Sequence, residues 1–144
     1  MKKWQYSFVL LGLAIIVGLP IAGSLARRNR KERCALDGVK IEAIYRVRIV
    51  EDQSQARSFC CIRCAEFWVE RRDFPPQAVY VTDEVTRREI DSQLAYFVRS
   101  SVVASPATRN RIHIFQNLAD ALKHANTHKG RILTDSEKPF SRKE

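Results

Sequence analysis

The chain has a single methionine, Met1, so its folded part offers no thioether to a soft metal. Glycine is scarce, with five in 144 residues, and none of them builds the phosphate-cradling loop of nucleotide-binding folds. There is no Ser-His-Asp order, no Cys-x-x-Cys-His run for covalent haem, and no paired-carboxylate pocket to which acid–base chemistry can be assigned. An enzyme is therefore not the expected reading. Acid is also short, 16 Asp/Glu against 25 Lys/Arg, for a net charge of +9. Most of that excess is local: residues 1–33 hold seven basic groups against one acid (+6), and residues 34–144 hold eighteen against fifteen (+3). A domain at +3 without a basic stripe gives no footing for nucleic acid.

Long uncharged stretches are absent except at the start. Trp4 to Ala26 runs 23 residues without a charge, enough for a helix to cross roughly 30 Å of hydrocarbon. Lys2 and Lys3 precede it, and Trp4 and Tyr6 suit an interfacial position. Ser24-Leu25-Ala26 also resembles a signal-peptide cleavage site. The length of the run and the basic stop after it favour an uncleaved membrane anchor over residues 1–26. Residues 27–33 then form a basic juxtamembrane segment suited to anionic head groups. Cys34 follows Lys31-Glu32-Arg33 and not a small apolar box, which excludes a lipoprotein signal.

Against these absences stands Phe59-Cys60-Cys61-Ile62-Arg63-Cys64, with three of the four cysteines in five residues. Cys60 and Cys64, or Cys61 and Cys64, face the same way on a helical turn. A strand-to-helix junction leaves unpaired N–H groups and a positive dipole end near these thiols, which predicts lowered pKa values. Cys34 lies 26 positions before Cys60, where the folded part begins. Three readings follow. Cys34, Cys60, Cys61 and Cys64 form a thiolate site for Cu(I) or Zn(II). Alternatively, Cys61 and Cys64 form a thiol–disulfide oxidoreductase centre, or the cysteines are structural, as disulfides or buried thiols. A third thiol beside a redox pair invites scrambling, and the metal reading is the one adopted.

Cys34-Ala35-Leu36-Asp37-Gly38-Val39 reads as a knuckle-like turn, Asp-Gly supplying the turn chemistry. Residues 44–50 alternate as a strand, 57–60 form a second, and 61–72 a helix burying Cys64, Phe67 and Trp68 before Pro75-Pro76. Residues 77–82 form a third strand, and 83–91 are charged and turn-like. The order repeats with strands at 94–99 and 111–115, a helix at 116–127 and a strand at 131–133. The spacing predicts an α+β fold of two ββαβ units, 34–91 and 92–135, with a polar tail over 136–144. At an offset of 54 residues Arg57 falls on Arg111, and Cys60, Cys61 and Cys64 fall on Ile114, Phe115 and Leu118.

His124 and His128 have ligand spacing, but the apolar face of Leu118, Ala121, Leu122 and Ala125 turns them outward with Asp120 as a solvated face. His113, in the strand before, is a candidate additional metal ligand.

Cys34-Ala35-Leu36-Asp37-Gly38 with Ser58-Phe59-Cys60-Cys61-Ile62-Arg63-Cys64-Ala65 resembles the TRASH-type metal-binding knuckle, a treble-clef-like module. Ala95-Tyr96-Phe97-Val98, Asn110-Arg111-Ile112-His113-Ile114-Phe115, Asp120-Ala121 and His128-Lys129-Gly130-Arg131-Ile132-Leu133 are similar to NosL, the copper-binding accessory protein of nitrous oxide reductase assembly. That family is built from two ββαβ units. Its Cys-Gly-Met is represented here by Cys34-Ala35-Leu36, without the methionine. The resemblance implies a membrane-tethered, metallochaperone-like protein carrying copper or zinc to a partner metalloenzyme or metal transporter. The positive-inside rule alone puts the folded domain in the cytoplasm. Metal delivery prefers the opposite side, and the expected location is the inner membrane, single-pass, with the domain on the periplasmic (extracytoplasmic) face.

Overall fold

The β1 strand (Val47–Val50) sends Val47 and Ile49 inward and leaves Arg48 on the other face. There the Arg48 guanidinium grips Glu89 at 2.9 Å and lies over the Tyr80 ring. This period-two burial makes the segment a strand with one wet face. The structure, a computed structural model, describes residues 33–52 and 55–141. The expected anchor at 1–26, residues 27–32 of the basic segment and the end of the tail lie outside the described residues. Among the described residues no helix is long and apolar enough to cross a membrane.

After β1 come β2 (Ala56–Phe59), helix α1 (Ile62–Val69) and β3 (Ala78–Thr82). The expected turn region then contributes a further strand, β4 (Glu89–Asp91), followed by β5 (Tyr96–Arg99), β6 (Ile112–Phe115), helix α2 (Leu118–Thr127) and β7 (Arg131–Ile132). The strands form two antiparallel sheets, ordered β2-β1-β3-β4 and β6-β5-β7. The chain is thus an α+β fold, and β6-β5-β7 reproduces the order β2-β1-β3.

The equivalence of the halves is offset by two residues from the expected one. Val47 pairs with Phe59 as Tyr96 pairs with Phe115, and the N-caps are Cys61 and Asn117. The hairpin-end and helix spacing is therefore 56, which puts Gln116, Asn117 and Asp120 in the places of Cys60, Cys61 and Cys64. A two-residue slip keeps every strand side chain on its face, so alternation alone cannot detect it. At this spacing Trp68, flanked by Arg57, Arg72 and Phe59, has His124 as its counterpart. His124 is flanked in the same way by His113, His128 and Phe115.

The β5 strand is buried on both faces. Val98, with Phe115 of β6, packs under Ala121 and Ala125 of α2. Phe97 and Ile114 point the other way, into a core shared with Val47, Ile49, Phe59, Val81 and Trp68. Each such side chain contributes about 1.5–3 kcal/mol when fully buried, so the halves are welded by apolar area. Phe140 packs against the same core, so the expected polar tail is docked at that point.

Asp83, 1% exposed, ties the first half to the second. Its carboxylate accepts from the Thr86 N–H (2.7 Å), the Thr86 hydroxyl (2.6 Å) and the Gln116 N–H (2.9 Å). Burial works to raise its pKa, but the hydrogen bonds prevail and hold it below the ordinary carboxylate value. The Asp83 contribution is therefore present above the unfolded carboxylate pKa and lost as pH falls through the folded one. Asp83→Ala strands those donors and is expected to cost about 2 kcal/mol in urea unfolding at pH 7. An unchanged midpoint would show that the junction carries no stability.

Candidate metal centre

Two local structures meet at the cysteines. The first is a tight turn in which Cys34 N–H donates to Val39 O (2.8 Å) and Gly38 N–H to Cys34 O (2.9 Å). Gly38 sits at φ +72, the left-handed region that glycine enters without penalty. Ala35 N–H donates to Ser58 O (2.9 Å), docking the turn on β2. The second is the start of α1, where β2 ends at Phe59 and the chain turns through Cys60 and Cys61.

Cys34, Cys60 and Cys64 are 4–5% exposed and unpaired, as is Cys61. One ligand atom from each of Cys34, Asp37, Cys60 and Cys64 lies within 4.8 Å of all the others. Cys60 and Cys64 sulfurs are 3.5 Å apart, and Asp37 Oδ2 accepts from Cys64 at 3.3 Å and from Cys60 at 3.7 Å. Tetrahedral metal–sulfur bonds of roughly 2.3 Å place sulfurs about 3.8 Å apart, so the cluster is already near ligand spacing. Asp37 divides its work: Oδ1 accepts from the Val39 N–H (3.0 Å) and holds the turn, while Oδ2 faces the thiols. It is the exposed member of the set.

Asp37 is the residue that sequence reasoning missed. It read as turn chemistry before Gly38, and its signal was its place three residues after Cys34. Cys61, expected as a ligand, and His113, a candidate additional one, are not brought into the cluster. The Cys61 sulfur lies 3.1 Å from Thr108 Oγ1, and Arg63 donates to Thr108 O at 3.3 Å. Together they clasp the β5–β6 loop onto α1. As the N-cap, Cys61 is extended and precedes the helical turn on which Cys64 sits, so it does not share that face. The sulfurs that meet at 3.5 Å are those of Cys60 and Cys64, while that of Cys61 meets Thr108.

The thiol pKa values run opposite to expectation. Burial pushes Cys60 and Cys64 up, with repulsion from Cys61 next, and the short α1 dipole does not offset it. Asp37 moves the other way: burial works to raise it, but hydrogen bonds from Cys34, the Val39 N–H, Cys64 and Cys60 hold it below its ordinary value. Cys60 and Cys64 donate to one carboxylate, that of Asp37. Phe67, expected to be buried with Trp68, is 42% exposed under the Arg71 guanidinium, and of the two only Trp68 is buried.

His113 is buried elsewhere. Its Nδ1 meets Glu84 at 3.0–3.1 Å, and Nε2 meets Val102 O at 3.2 Å. His124, expected to face solvent, stacks on His113 at 4.2 Å because the buried face of α2 is Ala121 and Ala125, with Leu118 and Leu122 each 46% exposed. Burial works to lower the His113 pKa, but Glu84 prevails and raises it above 6.5; burial and its histidine neighbours lower that of His124. The His113 contribution to stability is thus complete below pH 6.5 and lost as pH rises through its raised pKa; that of His124 is present above 6.5 and lost as pH falls. In a proton NMR titration His113 is expected to titrate above 6.5 and His124 below. Glu84→Gln is expected to drop His113 below 6.5, because burial then dominates. Coincident titrations would contradict the ion pair.

No family model matches this sequence, and no curated protein matches it. Among solved structures it is similar to the crystal structure of the copper chaperone NosL from Shewanella denitrificans. The two are 20% identical, the match covers 75% of this chain and 90% of that one, and the TM-score is 0.62. The fold is NosL-like.

Proposed function

On a NosL-like fold with four convergent ligand groups, we propose that this chain is a metal-binding accessory protein, metallochaperone-like, whose cargo is one soft metal ion. Cys34, Cys60 and Cys64 supply thiolates and Asp37 a carboxylate; Cys61 holds the loop beside them. The observation that carries the reading is that convergence, within 4.8 Å, of groups from a turn and a helix 26 residues apart in sequence. Three thiolates suit Cu(I), and the added carboxylate completes a tetrahedral set for Zn(II). The three sulfurs are buried while Asp37 is exposed, so exchange with an acceptor begins from the Asp37 side. The recipient is a metalloenzyme under assembly or a metal transporter. The tether is the apolar run 4–26, and metal delivery favours the domain on the extracytoplasmic face of the inner membrane.

The test uses the full chain in detergent, reduced and anaerobic, loaded with Cu(I) or Zn(II) and assayed for bound metal and alkylatable thiols. One ion per chain, with Cys34, Cys60 and Cys64 becoming protected until a chelator is added, is the expected result. No retained metal together with a ready Cys60–Cys64 disulfide would replace this reading with a redox one.

A further inference from the structure

At the far end of the second sheet, four cations surround one pocket. Arg99, Arg111, Lys129 and Arg131 line a space of about 510 Å³ with Ser101 and Gly130. Arg99 and Arg131 are directly opposite across the β5–β7 ladder, and Ser100 N–H donates to Arg111 O on the other side (3.2 Å). Like charges placed opposite one another destabilise a sheet. Among the described residues the acid that answers them is Glu137, whose two oxygens are both taken by Arg131 at 2.6 Å. Arg99, Arg111 and Lys129 have no acidic partner among the described residues.

These side chains do not cap the end of α2 at His128. Its carbonyl at His128 is occupied by Ser101, through the N–H at 3.2 Å and the hydroxyl at 2.8 Å. The backbone beneath is fixed as well: Lys129 is at φ +50, and a Cβ on Gly130 would stand 2.7 Å from Arg99 O. Arg99 and Arg131 project from two strands, Arg111 from the residue before β6 and Lys129 from a tight turn, so the backbone is set and a ligand has only the side chains to order.

We propose that this pocket binds a phosphate-type oxyanion, carried by an anionic lipid head group or free in solution. Guanidinium forks bind phosphate oxygens in pairs, and the ammonium of Lys129 adds a point charge. A lipid source fits the expected anchor and basic segment at 1–33, and a single pocket does not make the stripe that a nucleic acid requires. The site is separate from the cysteine cluster and does not depend on the metal reading.

The experiment is an NMR titration of the full chain in neutral detergent, following the Ser101 and Gly130 amides. The probes are inorganic phosphate, water-soluble short-chain phosphatidylglycerol and a polyglutamate peptide. Saturable shifts with a phosphate probe are expected, weakening by about tenfold or more in Arg99→Glu/Arg111→Glu. Phosphatidylglycerol alone assigns the lipid, and inorganic phosphate alone assigns the free ion. Saturation by polyglutamate alone, or equal shifts in a charge-reversed variant that keeps the wild-type amide dispersion, would overturn the proposal. Arg111→Gln, which removes one charge without reversing it, keeps the test open should the double variant fail to fold.

Discussion

Replacing Cys60 or Cys64 by Ser lowers metal affinity by roughly two to three decades, whereas Cys61→Ser leaves it within a few-fold. Apparent free energies for structural zinc sites run to about 10–16 kcal/mol, or roughly 2.5–4 kcal/mol for each of four ligands. Removing one thiolate from the set Cys34, Asp37, Cys60 and Cys64 forfeits a share of that size. Cys34→Ser is expected to behave like the other two, since its sulfur belongs to the same cluster. Cys61 is 1% exposed and directed at Thr108. Its loss acts on packing, at about 1–2 kcal/mol of stability. Competition titration with a chromophoric chelator separates the effects. Equal loss from Cys61→Ser and Cys60→Ser would place Cys61 among the ligands and contradict the geometry.

Asp37→Ala is expected to weaken Zn(II) binding by about ten- to a hundredfold while changing Cu(I) binding far less. A carboxylate oxygen suits the harder, tetrahedral ion, whereas three thiolates already satisfy Cu(I). The substitution also removes the Oδ1 bond to the Val39 N–H, so part of any loss comes from the turn. Asp37→Asn keeps an oxygen for that bond and removes the charge, which separates ligation from turn-holding. Parallel titrations with the two ions read the result. A large, equal loss for both metals in Asp37→Ala, rescued by Asp37→Asn, would reduce Asp37 to a turn residue.

The order of strands and helices was legible because each segment is short and its burial regular: Val47 and Ile49 in, Arg48 out. Of the four groups that converge, the three thiols of Cys34, Cys60 and Cys64 were legible, since sulfur is rare in the chain and clustered. Other features were hidden for physical reasons. Acidic Glu89 and Asp91 hid β4, an edge strand held by pairing with β3 and by the Arg48–Glu89 ion pair. On α2 the large apolar residues suggested the buried face, but the helix packs closely through alanines, and His124 is drawn onto His113 and Phe115. At Cys60 and Cys64 the dipole argument had the right sign and too small a magnitude, because desolvation of a buried thiolate outweighs one helix end. Gln116, Asn117 and Asp120, in the places of the cysteines, carry no sulfur, so the convergent thiols lie in the first half alone.

The most direct test of the account is X-ray absorption at the metal edge of the full chain loaded with one equivalent of Zn(II) under reduction. The account predicts three sulfur neighbours at roughly 2.3 Å and one oxygen at about 2.0 Å. Four sulfurs would bring Cys61 into the site, and a shell of nitrogen and oxygen alone would move the metal away from the cysteines; either result would contradict the account.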